Sequence, residues 1–487
     1  IKCIIAKLPY VRSLGFTGIW FNPFFKSPFR DGGYDISDFF AIDPRFGTDA
    51  DVRKLISECH RLGLTVLFDL VAGHMSWDAE PFLESTRAET NKWSDMFVWT
   101  DNPWSWEQGL RLVRGLYDRN GAYLANFFVH QPALNYGFLK PDRAWQEPVD
   151  GAGPAKTKKY IESVMEYWCA QGVDGFRCDM AGWMVKKDNA DNDGTIRVWD
   201  EMFGAVRKKY PAMKAVSEWN CPRNSLRSAF DADFVLEWSE DFYHQFARRG
   251  AGLKGLYAAG EKGEPLLRKW DPALWKTWEK QAREYFAAQR DSGKWLSLIS
   301  GNHDTARIAD WLDQDDLRLA YTLLFLLPNV PFMFQGDEIG QTTYAGLPSK
   351  DGGYLRTGTR TPMRWDNTPN AGFSTAAPEA LYLPTHAGDD TVAEQEADPD
   401  SLLNFVRKMN AIRSSDPDIT MNYDLRIVEG RPLSFWRKRT LVVANLSTES
   451  YSFAVGAGTL LAAFGKPTVA AGKLVVPTRG VAVYREA

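Results

Sequence analysis

Charged side chains stand at the ends of four apolar runs in this chain. The four segments cover residues 69–74, 175–179, 217–220 and 301–304, and they carry Asp69, His74, Arg177, Asp179, Glu218, His303 and Asp304. One charged residue at the end of a strand is usually solvated, or it caps a neighbouring element. Four carboxylates, two histidines and one arginine at one edge of a sheet are unfavourable unless these groups act together. We therefore predict that the four segments form one catalytic site.

Two of these carboxylates, Asp179 and Glu218, suit the cleavage of a glycosidic bond. That reaction needs one carboxyl group to protonate the leaving oxygen and a second to attack the anomeric carbon or to activate water. Asp179 and Glu218 end consecutive predicted strands, and neighbouring strands lie about 4.8 Å apart. This arrangement favours the carboxyl separation of about 5–5.5 Å that is typical of retaining enzymes, which form a covalent glycosyl-enzyme.

Helices and strands alternate around these segments. The apolar face of one predicted helix consists of Val52, Leu55, Ile56, Cys59 and Leu62. Thr48 and Asp51 can cap the start of this helix, and Gly63 ends it. The continuous apolar run 64–71 then predicts a parallel strand buried on both faces. The same unit recurs later, in a helix whose apolar face consists of Ile161, Val164, Met165 and Trp168, followed by Gly172 and a strand.

Repeated βα units predict the fold class. The predicted strands cover residues 18–23, 64–71, 173–180, 214–218, 233–238, 295–300 and 329–335. In a chain of 487 residues, this alternation predicts an α/β fold with a (β/α)8 TIM barrel. An eighth strand, the first of the barrel, is expected to precede Ile1, so we expect the sequence to be incomplete at its N-terminus.

Two regions depart from this alternation. Residues 75–150 are rich in Trp and predict a lobe inserted after strand 3 of the barrel. From about residue 420, short β-type runs separated by Gly, Ser and Pro predict an antiparallel β-sandwich. The predicted domains are the catalytic barrel in residues 1–74 and 151–400, the inserted domain B in residues 75–150, and the C-terminal β-domain in residues 401–487.

Composition excludes several kinds of partner. The formal net charge of −4 offers no basic excess for nucleic acid, and no apolar run reaches the length of about 18 residues that a membrane-spanning helix needs. The five cysteines lack metal-ligand spacing and predict reduced thiols in a cytoplasmic protein, although the N-terminus leaves export open. The aromatic content of 14% suits a carbohydrate binder, because sugar rings stack on aromatic faces, and it also suits the core of a large barrel.

The four charged segments, in this order and at this spacing, resemble four sequence regions of the α-amylase family (glycoside hydrolase family 13) over nearly the whole chain. The resemblance implies that Asp179 is the nucleophile, that Glu218 is the general acid/base, and that Asp304 stabilises the transition state. It also implies that His74 and His303 donate hydrogen bonds to sugar hydroxyls, whereas the alternative for each is a core histidine. Arg177 lies two residues before Asp179 on the same strand face and would keep that carboxylate ionised.

Two further segments resemble the exo-acting α-glucosidases and oligo-1,6-glucosidases of the family. They cover residues 32–37 and 360–365. The resemblance implies that Asp35 and Arg360 pair behind the terminal glucose and that Tyr34 is a stacking platform for the sugar. The alternative is a turn and a proline-led loop with surface charges. Residues 131–135 and 334–340 also resemble family regions, although Ala133 stands where α-glucosidases usually carry Asp.

Two positions differ from the family pattern. Gly73 stands where many α-amylases have an Asn that binds calcium, and glycine offers no side-chain oxygen. We expect no required cofactor and no metal site, with calcium possible only without this usual ligand. Met180 follows the nucleophile at a position that helps to select α-1,4 or α-1,6 bonds in related enzymes, and methionine matches neither common choice.

Three functions remain open at this point. The first is an exo-acting α-glucosidase on short α-gluco-oligosaccharides. The second is an endo-acting amylase or a transglycosidase such as a trehalose synthase, which would share the covalent intermediate. The third is a non-catalytic amylase-like binding domain, and the presence of Asp179, Glu218 and Asp304 argues against it.

Overall fold

We analysed a computed structural model, which describes residues 1–236, 247, 265–268, 271–386, 388–431 and 433–487. Two compact units divide the chain. The first unit contains Ile1–Arg12 and Phe16–Asp233, and the second contains Ser13–Gly15 and Phe234–Ala487. In the described part of the chain, no helix is long and apolar enough to cross a membrane. All five cysteines are described, and all five are free thiols.

Helices and strands alternate through the first unit and continue into the second. The helices are α1 (Lys2–Ser13), α2 (Asp49–Arg61), α3 (Glu80–Ser85), α4 (Ala152–Ala170), α5 (Asp193–Arg207), α6 (Pro222–Ser225), α7 (Pro272–Ser292), α8 (Gln314–Leu326), α9 (Val392–Ala397), α10 (Leu402–Ser415) and α11 (Pro417–Thr420). The strands before residue 300 are β1 (Gly18–Phe21), β2 (Phe25–Lys26), β3 (Asp38–Ile42), β4 (Thr65–Leu70), β5 (Arg111–Arg114), β6 (Ala122–Ala125), β7 (Gly175–Cys178), β8 (Lys214–Ser217), β9 (Ala232–Val235) and β10 (Trp295–Leu298).

The main sheet is parallel, as the continuous apolar runs predict. Its strand order is β1-β4-β7-β8-β9-β10, and β9 contains residues of both units. Residues 330–332 run beside β10, where Val330 N donates to Leu296 O at 2.8 Å and Phe332 N donates to Leu298 O at 2.9 Å. The sheet and this segment account for all seven predicted strands. The end of the predicted strand 233–238 lies outside the described residues.

Helix α2 shows why the sequence pattern was informative. Thr48 and Asp51 form a capping box at its start, as predicted, and this satisfies backbone donors of the first turn. The helix buries Val52, Leu55, Ile56 and Cys59. Gly63 follows with a φ of +71°, a conformation that glycine adopts easily, and the chain turns into β4. The predicted apolar face of α4 is likewise buried.

Antiparallel sheets form the C-terminal part of the second unit, as predicted. Its strands are β11 (Arg426–Ile427), β12 (Ser434–Arg437), β13 (Thr440–Ala444), β14 (Tyr451–Ala454), β15 (Gly458–Phe464), β16 (Thr468–Ala470), β17 (Lys473–Val476) and β18 (Val481–Glu486). They form one sheet in the order β11-β12-β13-β18-β15 and another in the order β14-β17-β16. Within residues 75–150, β5 and β6 form an antiparallel pair. The predicted domain boundaries stay predictions.

Candidate active site

Three neighbouring strands of the first unit end in charged side chains. β4 pairs with β7 and β7 pairs with β8, and the register places Asp69 opposite Arg177. Asp179 and Glu218 follow the ends of β7 and β8, and their backbone nitrogens donate to carbonyls of the adjacent strand at 3.0 Å. Asp69, Arg177, Asp179 and Glu218 are all less than one-tenth exposed. The parallel register therefore collects these four side chains at the carboxyl edge of the sheet.

Arg177 lies at the centre of this cluster. One terminal nitrogen of its guanidinium donates to Asp69 Oδ1 at 2.8 Å and to Asp179 Oδ1 at 3.0 Å. The other terminal nitrogen lies 2.8 Å from Glu218 Oε2. One guanidinium can contact two carboxylates only if they lie beside each other, so Asp179 and Glu218 are neighbours. One cation faces three carboxylates, and this excess of negative charge favours a proton on one of them.

Asp69 is the most enclosed of these carboxylates. Its Oδ2 accepts hydrogen bonds from Tyr34 Oη at 2.8 Å and from Trp20 Nε1 at 3.1 Å, in addition to those from Arg177. Burial raises the pKa of Asp69 to about 6, and Arg177 and Tyr34 oppose that shift. Tyr34 itself is buried, so its hydroxyl fixes the position of the ring that we predicted to stack on a sugar.

The backbone after Asp179 binds Glu218. Met180 has φ 44° and ψ 41°, a left-handed conformation that is strained for a residue with a side chain. Its N–H donates to Glu218 Oε2 at 2.9 Å, and Ala181 N donates to the carbonyl of Glu218 at 3.0 Å. Met180 therefore orients the predicted acid/base through its backbone.

Asp35 has partners within its own loop. Its carboxylate accepts hydrogen bonds from Ser27 Oγ at 2.8 Å, Arg30 N at 3.1 Å and Asp31 N at 3.2 Å. The residue is fully buried. These contacts hold the turn that presents Tyr34.

His74 is a buried, neutral histidine. Its Nε2 lies 3.1 Å from the carbonyl of Tyr34, and its Nδ1 lies 3.1 Å from Asn126 Nδ2. A carbonyl can only accept and an amide N–H only donates, so we assign the proton to Nε2. Burial lowers the pKa of His74 to about 3. Its predicted hydrogen bond to a sugar hydroxyl stays a prediction.

An amide and an ammonium group lie close to Gly73. A Cβ at Gly73 would lie 2.8 Å from Asn126 Nδ2, so the Asn126 amide fills the space of a larger side chain. Lys186 Nζ donates to Trp183 O at 2.7 Å and to Asn126 Oδ1 at 3.4 Å. An ammonium group beside this position disfavours a second cation. Across the described residues, no cluster of at least three His, Cys, Asp or Glu side chains could hold a metal ion.

A second charged cluster lies in the second unit, around Asp304. Asp304 Oδ1 accepts hydrogen bonds from Arg356 at 2.5 Å and from Arg360 at 3.3 Å. Arg360 Nε also donates to the carbonyl of His303 at 2.9 Å. His303 Nε2 lies 3.3 Å from Asp304 Oδ2. Two guanidinium groups thus hold the predicted transition-state carboxylate in place.

The predicted pair of Asp35 and Arg360 joins residues of different units. Asp35 has its hydrogen bonds in residues 27–31, and Arg360 has its own with His303 and Asp304. The pairing of Asp35 with Arg360 behind a terminal glucose stays a prediction.

Sequence reasoning missed Asp31, Arg356 and the central role of Asp69. Asp31 belongs to the same motif as Asp35, is buried, and accepts a hydrogen bond from Gln131 Nε2 at 2.7 Å. Arg356 precedes Arg360 by one turn of a 3-10 helix, Tyr354–Arg360. Spacing was the available signal for two of them, because Asp31 lies four residues before Asp35 and Arg356 lies four residues before Arg360.

Comparisons with known proteins define the class. Residues 1–422 match the Alpha-amylase family (alpha amylase, catalytic domain). The chain is 25% identical to the oligo-1,6-glucosidase of Parageobacillus thermoglucosidasius, over 93% of this chain and 87% of that protein. It is 29% identical to the trehalose synthase/amylase TreS of Mycobacterium tuberculosis, over 86% of this chain and 71% of that protein.

A solved structure supports the fold. The trehalulose synthase MutB of Pseudomonas mesoacidophila matches with a TM-score of 0.78 at 22% identity, over 99% of this chain and 94% of that one. The α/β TIM-barrel fold with C-terminal antiparallel sheets is therefore confirmed. The family match and the α-glucosidase-like relatives confirm the enzyme class. This chain belongs to the α-amylase family and is a glycoside hydrolase of that family, with α-glucosidase-like relatives.

Proposed function

We propose that the chain is a retaining α-glucosidase, which releases glucose from the non-reducing end of short α-gluco-oligosaccharides. One observation carries the proposal: Arg177 contacts Asp179 and Glu218 through its two terminal nitrogens. Carboxyl groups that share one guanidinium lie close together, which favours the separation of about 5–5.5 Å of a retaining enzyme over the separation of about 6.5–9.5 Å of an inverting one.

The chemistry follows from this placement. Glu218 donates its proton to the glycosidic oxygen while Asp179 attacks the anomeric carbon, and the C–O bond to the leaving sugar breaks. Glu218, now a carboxylate, takes a proton from water, and the resulting oxygen nucleophile releases glucose from Asp179. Arg177 favours the ionised nucleophile. Asp304 would stabilise positive charge that develops on the sugar ring.

Action on a terminal glucose is supported by residues 32–37 and 360–365, the two segments that resemble exo-acting glucosidases. Tyr34 is held by Asp69 in the first unit, and Arg360 is held by Asp304 in the second. Two relatives are an oligo-1,6-glucosidase and an α-glucosidase by name. Transglycosylation is the second candidate, because TreS is a trehalose synthase/amylase and both outcomes share the glycosyl-enzyme.

We expect maltotriitol to yield glucose and maltitol, with α-glucose as the first anomer formed. Two successive displacements at the anomeric carbon restore the starting configuration. Proton NMR spectra from the first minutes follow the anomers before mutarotation, and chromatography identifies the products. Maltose, isomaltose, trehalose and sucrose assayed in parallel define the linkage and the acceptor.

Each alternative gives a distinct product. If β-glucose appears first, the mechanism is inverting and the role of Asp179 is wrong. Cleavage of long blocked maltodextrins at internal bonds, as fast as maltose, identifies an endo-acting enzyme. Conversion of maltose into trehalose identifies a transglycosidase.

We also infer that Lys186 takes the place of calcium near Gly73. Burial lowers the pKa of Lys186 to about 8, so the amine is still largely charged at neutral pH. We expect EDTA to leave both kcat/KM and the melting temperature unchanged, and we expect Lys186→Met to lower the melting temperature whether or not calcium is added. A calcium-dependent α-amylase treated in parallel controls for chelation. Activity that falls in EDTA and returns with calcium would contradict this inference.

A further inference from the structure

Asp233, in strand β9, carries a fully buried carboxylate that serves one short segment of chain. Its Oδ1 accepts hydrogen bonds from Ser217 Oγ at 2.6 Å and from Trp219 N at 3.2 Å. Its Oδ2 accepts them from Ser225 Oγ at 2.7 Å and from Cys221 N at 3.1 Å. All four donors come from residues 217–225, so one carboxylate fixes the conformation of this segment.

This segment carries Glu218. Two of the donors, Ser217 Oγ and Trp219 N, belong to the residues directly before and after Glu218. Asn220 has a φ of 56°, a left-handed conformation that a side chain disfavours and that surrounding contacts must hold. Strand pairing holds Glu218 N against Cys178 O, and Asp233 holds the backbone that follows Glu218.

Among the described residues, no cation accounts for the burial of Asp233. In the part of the chain that the structure describes, Asp233 forms no salt bridge, and its partners are hydroxyl and backbone N–H groups. Burial raises its pKa to about 6, and its four hydrogen bonds oppose that shift. A buried carboxylate is unfavourable without such compensation. A carboxylate at this position accepts four hydrogen bonds at once, which a neutral amide, with one accepting oxygen, cannot do as well.

We propose that Asp233 is a positioning residue for proton transfer by Glu218. It accepts four donors at once and so fixes both flanks of the general acid/base. The inference rests on the proposed function of Glu218. When the glycosidic bond breaks, the proton of the Glu218 carboxyl must reach the leaving oxygen, and a displacement of about 1 Å can cost about 100-fold in rate.

The test compares two substrates that differ in their need for an acid. The reducing-end glucose of maltose leaves as an alkoxide unless the glycosidic oxygen is protonated, whereas α-glucosyl fluoride releases fluoride with little assistance. We expect Asp233→Asn to lower kcat/KM on maltose by about 10- to 100-fold. The value of kcat/KM on α-glucosyl fluoride, which reports only the formation of the glycosyl-enzyme, should change by less than about threefold. KM on maltose should change little, since Asp233 is not placed to contact substrate.

Asp231→Asn is the matched control. Asp231 lies two residues earlier and binds Arg207 and the N–H of Ala215, at the opposite end of β8. We expect Asp231→Asn to leave the ratio of kcat/KM on maltose to kcat/KM on α-glucosyl fluoride unchanged. Ser225→Ala, which removes one donor and keeps the carboxylate, should shift that ratio in the same direction as Asp233→Asn. It serves as the test if the Asn variant fails to fold.

The outcomes separate the two hypotheses. Equal losses on both substrates would show a general structural role and overturn the positioning role, as would an unchanged rate on maltose. If the unaltered protein cleaves neither maltose nor α-glucosyl fluoride, the proposed α-glucosidase function fails first, independently of Asp233.

Discussion

Asp179→Asn and Glu218→Gln are each expected to lower kcat on maltose by at least about a thousandfold. Each change keeps the shape of the side chain and removes its ability to attack carbon or to donate a proton. Both residues lie at the carboxyl edge of the sheet and contact Arg177. Steady-state kinetics on purified protein, with circular dichroism to show that the fold persists, provide the measurement.

The two variants differ with α-glucosyl fluoride. Glu218→Gln should still form the glycosyl-enzyme from this substrate, because fluoride leaves without a proton. Asp179→Asn should not, because every substrate needs the nucleophile. Mass spectrometry of the intact protein detects the added glucosyl group. A glucosyl adduct on Asp179→Asn, or wild-type turnover by either variant, would contradict these roles.

Asp174→Asn is the matched control for these substitutions. Asp174 lies just before β7, at the other end of the strand that leads to Asp179, and it binds His60 and the N–H of Val66. Residues at the amino-terminal face of a barrel contribute to stability and not to catalysis. The control should therefore change kcat by less than about threefold, with any effect confined to the melting temperature.

The sequence pattern was sufficient for the parts of the fold that hydrophobic burial determines. β4 and β7 were predicted from continuous apolar runs, and α2 from its 3.6-residue period and its Thr48 cap. Once the strand order was assumed, Arg177, Asp179 and Glu218 had to meet at one edge. Parallel pairing fixes such neighbours within a residue or two.

Contacts that depend on loop conformation could not be predicted in this way. The sequence predicts a pair of Asp35 with Arg360 and gives Asp233 only as the first residue of a strand, yet the carboxylate of each accepts hydrogen bonds from its own loop or from a neighbouring one. Hydrogen bonds of this kind depend on backbone angles, such as the left-handed Asn220, and not on hydrophobic period. Arg356 was missed for the same reason, because its contact with Asp304 depends on the course of an irregular segment.

Arg177→Met should both inactivate the protein and destabilise it. Arg177 is 1% exposed and contacts Asp69, Asp179 and Glu218. Its loss removes the guanidinium that three buried carboxylates share, and breaking one buried pair typically costs about 3–5 kcal/mol. Methionine fills much of the volume of arginine, so the substitution tests the loss of the charge and not the effect of a cavity. Thermal unfolding followed by circular dichroism measures the loss.

The loss of stability should depend on pH, with a defined sign. Burial raises the pKa of Asp69 to about 6 from 3.8, so between these values the folded protein keeps a proton that the unfolded chain has released. The stability contributed by this group therefore falls as the pH rises through that window. Arg177 opposes the shift, so without it the folded pKa rises further. The difference in free energy of unfolding between Arg177→Met and the unaltered protein should therefore be larger at pH 7 than at pH 5.

A second substitution separates charge from packing. Asp69→Asn in the Arg177→Met background removes one of the uncompensated carboxylates and should recover part of the lost melting temperature, most clearly at pH 7. Arg207→Met is the matched control, since Arg207 is partly exposed and pairs with the single carboxylate of Asp231. Arg207→Met should lower the melting temperature less than Arg177→Met does, and this loss should depend little on pH.

If Arg177→Met were as stable as the unaltered protein at pH 7, the three carboxylates would have to be protonated or solvated without Arg177. The guanidinium would then not be what holds Asp179 and Glu218 together.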